Sequence, residues 1–146
     1  VNKSLSLVGQ SEAGVIINIP AAGVYGIIVT ASDVVLQNFT LAANASNENY
    51  PIHASGTSNP PGGFDNLTIS NVTINGSHRR TGFDIHGFNT VVLSNLTSSD
   101  AYGGNGVQVT GCVGVDMDNI TTSMIGGAPT EATGPIVVQV GTDDTP

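Results

Sequence analysis

The sequence predicts an all-β chain wound as a right-handed parallel β-helix, a solenoid of about six coils with an asparagine ladder. Three observations carry that expectation. The segment GFDIHGFNTVVLSNLT (Gly82 to Thr97) returns as GVQVTGCVGVDMDNIT (Gly106 to Thr121), so that Gly82 and Gly106, and likewise Asn95 and Asn119, stand 24 residues apart. The same asparagine frame extends upstream to Asn38 and Asn71. Within each copy, apolar residues alternate with polar ones at the period of a half-buried strand. A fixed repeat of this size, built of short alternating segments, marks units that bury their apolar faces only by stacking on one another.

Each anchor asparagine is followed by an apolar residue (Phe39, Val72, Leu96, Ile120) and then by threonine (Thr40, Thr73, Thr97, Thr121). Two residues before it stands Leu36, Ile69, Leu93 or Met117, and four before it Val34, Leu67, Val91 or Val115. The next apolar position falls at plus one, so the alternation slips phase at the asparagine. Asparagine tolerates the left-handed backbone region and bonds locally, which reads as a bend between two strands. Stacked, the four asparagines form a hydrogen-bonded ladder buried in the bend, with a column of threonine beside it.

In chain order, Ser4 to Ile19 supply the first coil, two strands around Gly9-Gln10 and Ala13-Gly14. The second runs from Tyr25 to Leu41. The third carries the longest irregular stretch, Ala43 to Gly63, with a brief strand Pro51 to Ser55 inside it, which accounts for the 33 residues between Asn38 and Asn71. The two repeat copies follow, and Gly134 to Val140 reads as a last strand. Solenoid insertions map to loops on one face, often the binding face. Neither end shows a capping element, so a single domain over 1–146 that is a segment of a longer solenoid, or one completed by an oligomeric partner, is expected.

A strand, an asparagine bend, a second strand and a variable loop per coil resemble the right-handed parallel β-helix of the pectate-lyase-like superfamily, as does the opening Lys3-Ser-Leu-Ser-Leu-Val-Gly9. The resemblance spans nearly the whole chain and specifies architecture. Among lyases, hydrolases and epimerases of that kind, it implies a substrate groove along a strand face and its bordering loops. The acidic calcium-binding run with a following arginine, and the paired-aspartate and Gly-His-Gly motifs of polygalacturonases, are absent from this sequence.

Composition narrows the function. The chain has 146 residues, 10% of them charged, with 3 Lys and Arg against 11 Asp and Glu for a net charge of −8. Nucleic acid and anionic membranes need clustered cations, so neither is an expected partner. No apolar run approaches the ~20 residues of a membrane helix. Cys112 is alone and forms neither a disulfide nor a thiolate zinc cluster within the chain. Abundant Asn, Thr and Ser with little Lys point to an extracellular or cell-surface protein. Eight glycosylation sequons occur, at Asn2, Asn38, Asn44, Asn66, Asn71, Asn75, Asn95 and Asn119; at the four ladder positions the match is a by-product of the repeat.

Aligning the strands that open each coil turns Ile27, Val29, Phe83, Ile85, Val107 and Val109 inward and Asp84, His86 and Gln108 outward. If Pro51 to Ser55 fills the missing place, His53 faces outward beside Asp84, one strand spacing of ~4.8 Å away. His78, Arg79 and Arg80 would flank this patch, and Asp100 and Tyr102 would overhang it. A uronate sugar needs a cation for its carboxylate and a base for the proton next to it. Arg79 or Arg80 suits the first role, and His53, His86 or Tyr102 the second, with Asp84 beside them; Gln108, Asp100 and His78 are candidate substrate contacts. No cofactor is expected. Calcium is conceivable at Asp116 and Asp118 or at Asp143 and Asp144, but each pair offers few ligands and a plain acidic surface explains both. The patch equally suits solvated cross-strand pairs on an exposed sheet. The expected function is therefore an exported module that interacts with polysaccharide. The alternatives are an enzyme acting on an acidic glycan and a purely structural or adhesive fibre segment.

Overall fold

A computed structural model describes residues 1–19, 25–43, 50–56, 63–101, 104–124 and 136–140, the side chains of 100, 124, 139 and 140 excepted. The chain winds through two parallel sheets. The first contains β1 (Leu5–Val8) and β2 (Ile16–Asn18), then β4 (Val34–Ala42), β6 (Leu67–Asn75), β8 (Thr90–Ala101) and β10 (Gly114–Met124). The second contains β3 (Tyr25–Val29), β5 (Tyr50–Ser55), β7 (Phe83–His86), β9 (Val107–Cys112) and β11 (Ile136–Val140). Each turn takes one short strand in the second sheet and one long strand in the first. That makes about four turns rather than six. Among the described residues, β1 and β2 lie only in the first sheet and β11 only in the second, so neither terminal segment adds a coil with strands in both sheets.

The strand register makes the sequence columns physical. Val34, Leu67, Val91 and Val115 stack in one row, and Leu36, Ile69, Leu93 and Met117 in the next. Phe39, Val72, Leu96 and Ile120 follow beyond the bend. From the opposite sheet come Ile52, Ala54, Phe83, Ile85, Val107 and Val109, all fully buried against these rows. Truncating one such aliphatic side chain to alanine removes its burial and leaves a cavity, at a cost of about 2–5 kcal/mol.

The bend lies inside each long strand rather than between two. Asn38, Asn71, Asn95 and Asn119 have φ of 60°, 51°, 52° and 51°, in the left-handed region. They drop out of the register while their neighbours on both sides stay paired. Their side chains form the ladder. The Nδ2 of Asn71 donates to Oδ1 of Asn38 at 2.9 Å, that of Asn95 to Asn71 at 3.0 Å, and that of Asn119 to Asn95 at 2.8 Å. The ladder is not buried, as the sequence suggested. Asn38 and Asn71 are half-buried and Asn95 and Asn119 exposed, because a positive φ at the corner swings the side chain along the outer edge of the coil. The threonine column follows as expected, with Thr40, Thr73, Thr97 and Thr121 in register.

The opposite corner, between the second sheet and the first, is built differently. Gly87 and Gly111 both take a positive φ, 66° and 59°. A Cβ on Gly63 would sit 1.8 Å from the Gly87 carbonyl oxygen, so the chain passes there only without a side chain. After each of these glycines a bulky residue turns inward. Phe88 packs beside Phe64 with ring centroids 5.8 Å apart, and Cys112 is buried with its Sγ accepting from the Phe88 amide. Burial pushes the Cys112 thiol above its ordinary value, consistent with a small apolar filler. A second set of polar links runs along this edge, from Asn66 to Asp33 at 2.8 Å and from Asn89 to Asp65 at 2.7 Å.

Candidate functional site

The outward face of the second sheet carries the one cluster of three potential metal-ligating side chains among the described residues. Its positions follow from strand alternation. On β5, Ile52 and Ala54 are buried, which turns His53 out; on β7, Phe83 and Ile85 are buried, which turns out Asp84 and His86. Parallel pairing then sets His53 beside Asp84 and Asp84 beside Gln108, with Ser55, His86 and Thr110 forming the adjacent row.

Asp84 bridges the two histidines. Its Oδ2 lies 2.7 Å from Nδ1 of His53 and its Oδ1 2.6 Å from Nε2 of His86. The aspartate side chain is 6% exposed, whereas those of His53 and His86 are 22% and 34% exposed, so the rings lid the carboxylate. Burial by itself would raise the Asp84 carboxyl. The hydrogen bonds from His53 and His86, together with their charge, outweigh it and hold the group below the usual carboxylate value. An ionised carboxylate only accepts, so both ring nitrogens facing it carry protons and donate. The far nitrogen of His86, Nδ1, pairs with Thr110 Oγ1. His53 and His86 are thereby oriented by Asp84.

Beside the triad stands an aromatic group. Tyr25 and Tyr50 stack with centroids 5.7 Å apart and an interplanar angle of 20°, and the His53 ring lies 5.0 Å from Tyr25 and 5.6 Å from Tyr50. The His86 ring is 6.0 Å from that of His53. The Arg80 guanidinium sits over Tyr50, 6.0 Å from its centroid. Tyr25 remains 38% exposed and offers a ring surface to solvent.

No family model, curated protein or solved structure matches the chain.

The structure gathers His53, Asp84 and His86 as expected, with Gln108 next to Asp84 and Arg80 at the border. Arg79 is exposed on the same segment between β6 and β7. Gln108 Oε1 accepts from Asn105 Nδ2 at 2.8 Å, which ties it to the chain before β9. His78 is elsewhere: it is fully buried, with Nε2 3.4 Å from Ser98 Oγ and Nδ1 3.3 Å from the Gly76 carbonyl oxygen. Tyr102 lies outside the described residues, and of Asp100 only the backbone, in β8, is described. Asp116 and Asp118 are exposed on β10, while Asp143 and Asp144 lie outside the described residues. The scarcity of aromatics in the sequence singles out Tyr25 and Tyr50 as stacking platforms for sugar rings, but sequence reasoning did not join them to this cluster or name Thr110 as the partner of His86. Thr110 is in register with His86, and that was the signal available for it, whereas Tyr25 and Tyr50 pair with each other at the strand starts.

Proposed function

We propose that this chain is an exported surface module that binds polysaccharide along the outward face of its second sheet. One observation carries the reading: the stacked Tyr25 and Tyr50 rings, extended by His53 and bordered by Arg80, on a rigid parallel sheet. Aromatic faces take up the apolar face of a sugar ring, and a fixed guanidinium pairs with a carboxylate in two parallel hydrogen bonds. A uronate-bearing polymer answers both features. The net charge of −8 opposes a polyanion at long range, so recognition falls to local contacts at Arg80 and Arg79 rather than to steering. The Asn/Thr/Ser-rich, lysine-poor composition fits an exported protein, and the strand–asparagine bend–strand repeat resembles that of pectate-lyase-like proteins, which supports the choice of polysaccharide.

A second reading, acid–base catalysis on an acidic glycan, is favoured by one further geometry. Asp84 holds His53 through Nδ1, which leaves Nε2 as the other ring nitrogen, the arrangement in which a carboxylate orients a catalytic imidazole. A lyase or epimerase would use that nitrogen for the proton next to the uronate carboxylate and Arg80 or Arg79 for the carboxylate itself.

Titration with polygalacturonate, alginate and a neutral polysaccharide, read by calorimetry and by the absorbance of unsaturated uronate ends, separates these readings. Binding of a uronate polymer that weakens about tenfold or more in Tyr50→Ala and Arg80→Ala is expected. Turnover lost in His53→Gln would add the catalytic reading. Silence on every glycan would overturn both and leave a structural segment.

A further inference from the structure

We infer that His53, Asp84 and His86 form a mononuclear site for a divalent first-row transition ion, with zinc the best match to the ligand set. The three side chains each offer one ligand atom, and these atoms all lie within 4.8 Å of one another. Two imidazole nitrogens with a single carboxylate suit zinc, iron, nickel or copper rather than calcium or magnesium, which take oxygen ligands. Three protein ligands with the remaining position open is also the composition of reactive zinc sites, as opposed to closed structural ones. Here the open side is the solvent side, where the two histidine side chains are 22% and 34% exposed.

The side chains must rotate to receive the ion. The separations of 2.7 Å and 2.6 Å between Asp84 oxygens and ring nitrogens are those of hydrogen bonds. Tetrahedral coordination at ~2.0–2.1 Å sets neighbouring ligand atoms about 3.3 Å apart, so these two contacts open by roughly 0.6 Å and the widest pair, up to 4.8 Å apart, closes by up to about 1.5 Å through rotation about the side-chain bonds. The backbone has no need to move, because β5 and β7 are locked in register from Ile52 and Phe83 to Ser55 and His86.

The protons also have somewhere to go. Coordination requires the nitrogen facing the ion to be bare. For a neutral ring, the proton moves to the far nitrogen without leaving the side chain. In His86 that nitrogen is Nδ1, which already meets Thr110 Oγ1 and would then donate to it. A metal-bound histidine ordinarily donates its other N–H to such a partner, which fixes the ring and its tautomer. In His53 the proton moves to Nε2, on a side chain that is 22% exposed. The ion takes over from the two N–H groups the task of compensating the Asp84 charge, so the buried carboxylate stays satisfied in both states.

This inference does not rest on the polysaccharide reading, and its test contains no glycan. The chelator-treated 146-residue chain is titrated with zinc chloride by calorimetry at neutral pH, and the nitrogen resonances of the imidazoles are followed in the same titration. The chain has three histidines, and the buried His78 serves as an internal control in the unsubstituted protein. The expected result is one zinc per chain, with the His53 and His86 nitrogens shifted and those of His78 unmoved. Affinity falls at least tenfold in His86→Gln and in His53→Gln, each shown folded by circular dichroism. Thr110→Val, which leaves all three ligands in place, weakens binding by about 10–100-fold, the usual effect of losing a partner of a metal-bound histidine. Cobalt bound in place of zinc gives a visible spectrum that reports the coordination number. Absence of zinc binding, shifts at His78 instead, or isotherms that coincide for the unsubstituted chain and both histidine variants would overturn the assignment and leave a purely hydrogen-bonded triad.

Discussion

Asn71 shows how one residue type serves two purposes in this chain. Its φ of 51° costs an ordinary L-residue about 1–2 kcal/mol, and its side chain both donates to Asn38 and accepts from Asn95. Each such bond adds about 1 kcal/mol net. Asn71→Gly keeps the backbone conformation and loses the two bonds, whereas Asn71→Ala loses both advantages. Urea denaturation should therefore rank the proteins as unsubstituted, then Asn71→Gly, then Asn71→Ala, with the last about 2–4 kcal/mol below the first. Equal midpoints for the two variants would show that the ladder, and not the bend, sets the residue. Asp84 has the same double character in the second sheet, since its place between Phe83 and Ile85 is structural while its two oxygens organise the histidines.

At the scale of the element, the long strands of the first sheet are one design used four times, and the departures from it are informative. Leu41 and Ile74 are buried at the third position after the asparagine, but in β8 that place is taken by Ser98, also fully buried. The hydroxyl meets Nε2 of His78, so the segment after β6 turns its histidine into the core to satisfy it. Gly76, at φ 97°, gives the turn its direction. His78→Ala would open a cavity and strip Ser98 of this partner, lowering stability by about 2–4 kcal/mol in thermal or urea unfolding. Binding of a uronate polymer would be unchanged once the variant is folded. Loss of binding with stability intact would mean that His78 acts at the site after all. The sequence allowed His78 to be grouped with Arg79 and Arg80 because neighbours in a loop share an address. It did not reveal that a serine at an apolar repeat position needed a partner, which decides where the histidine points.

For the whole molecule, the repeat itself was legible because the solenoid converts spacing directly into stacking: Asn95 to Asn119 at 24 residues and Asn38 to Asn71 at 33 both become adjacent rungs. Register then carried His53 to Asp84 across an irregular stretch, since inward Ile52 and Ala54 left His53 only one face to occupy. What spacing does not encode was read less well. A terminal strand looks like a coil until its partner sheet is known, and spacing alone does not say whether an asparagine stack lies in the core or on the edge of the coil. The rings of Tyr25 and Tyr50 lie at strand starts, where alternation gives no direction, and only the folded chain places them against His53. The central claim is that the outward face of the second sheet is the binding surface. The most direct test is amide and imidazole shift mapping with a uronate oligosaccharide, with the chelator-treated chain run in parallel. Shifts confined to Tyr25, Tyr50, His53, His86, Thr110 and the Arg79–Arg80 segment are predicted. Shifts centred on the Thr73 and Thr97 column of the first sheet, or none at saturating ligand, would contradict it.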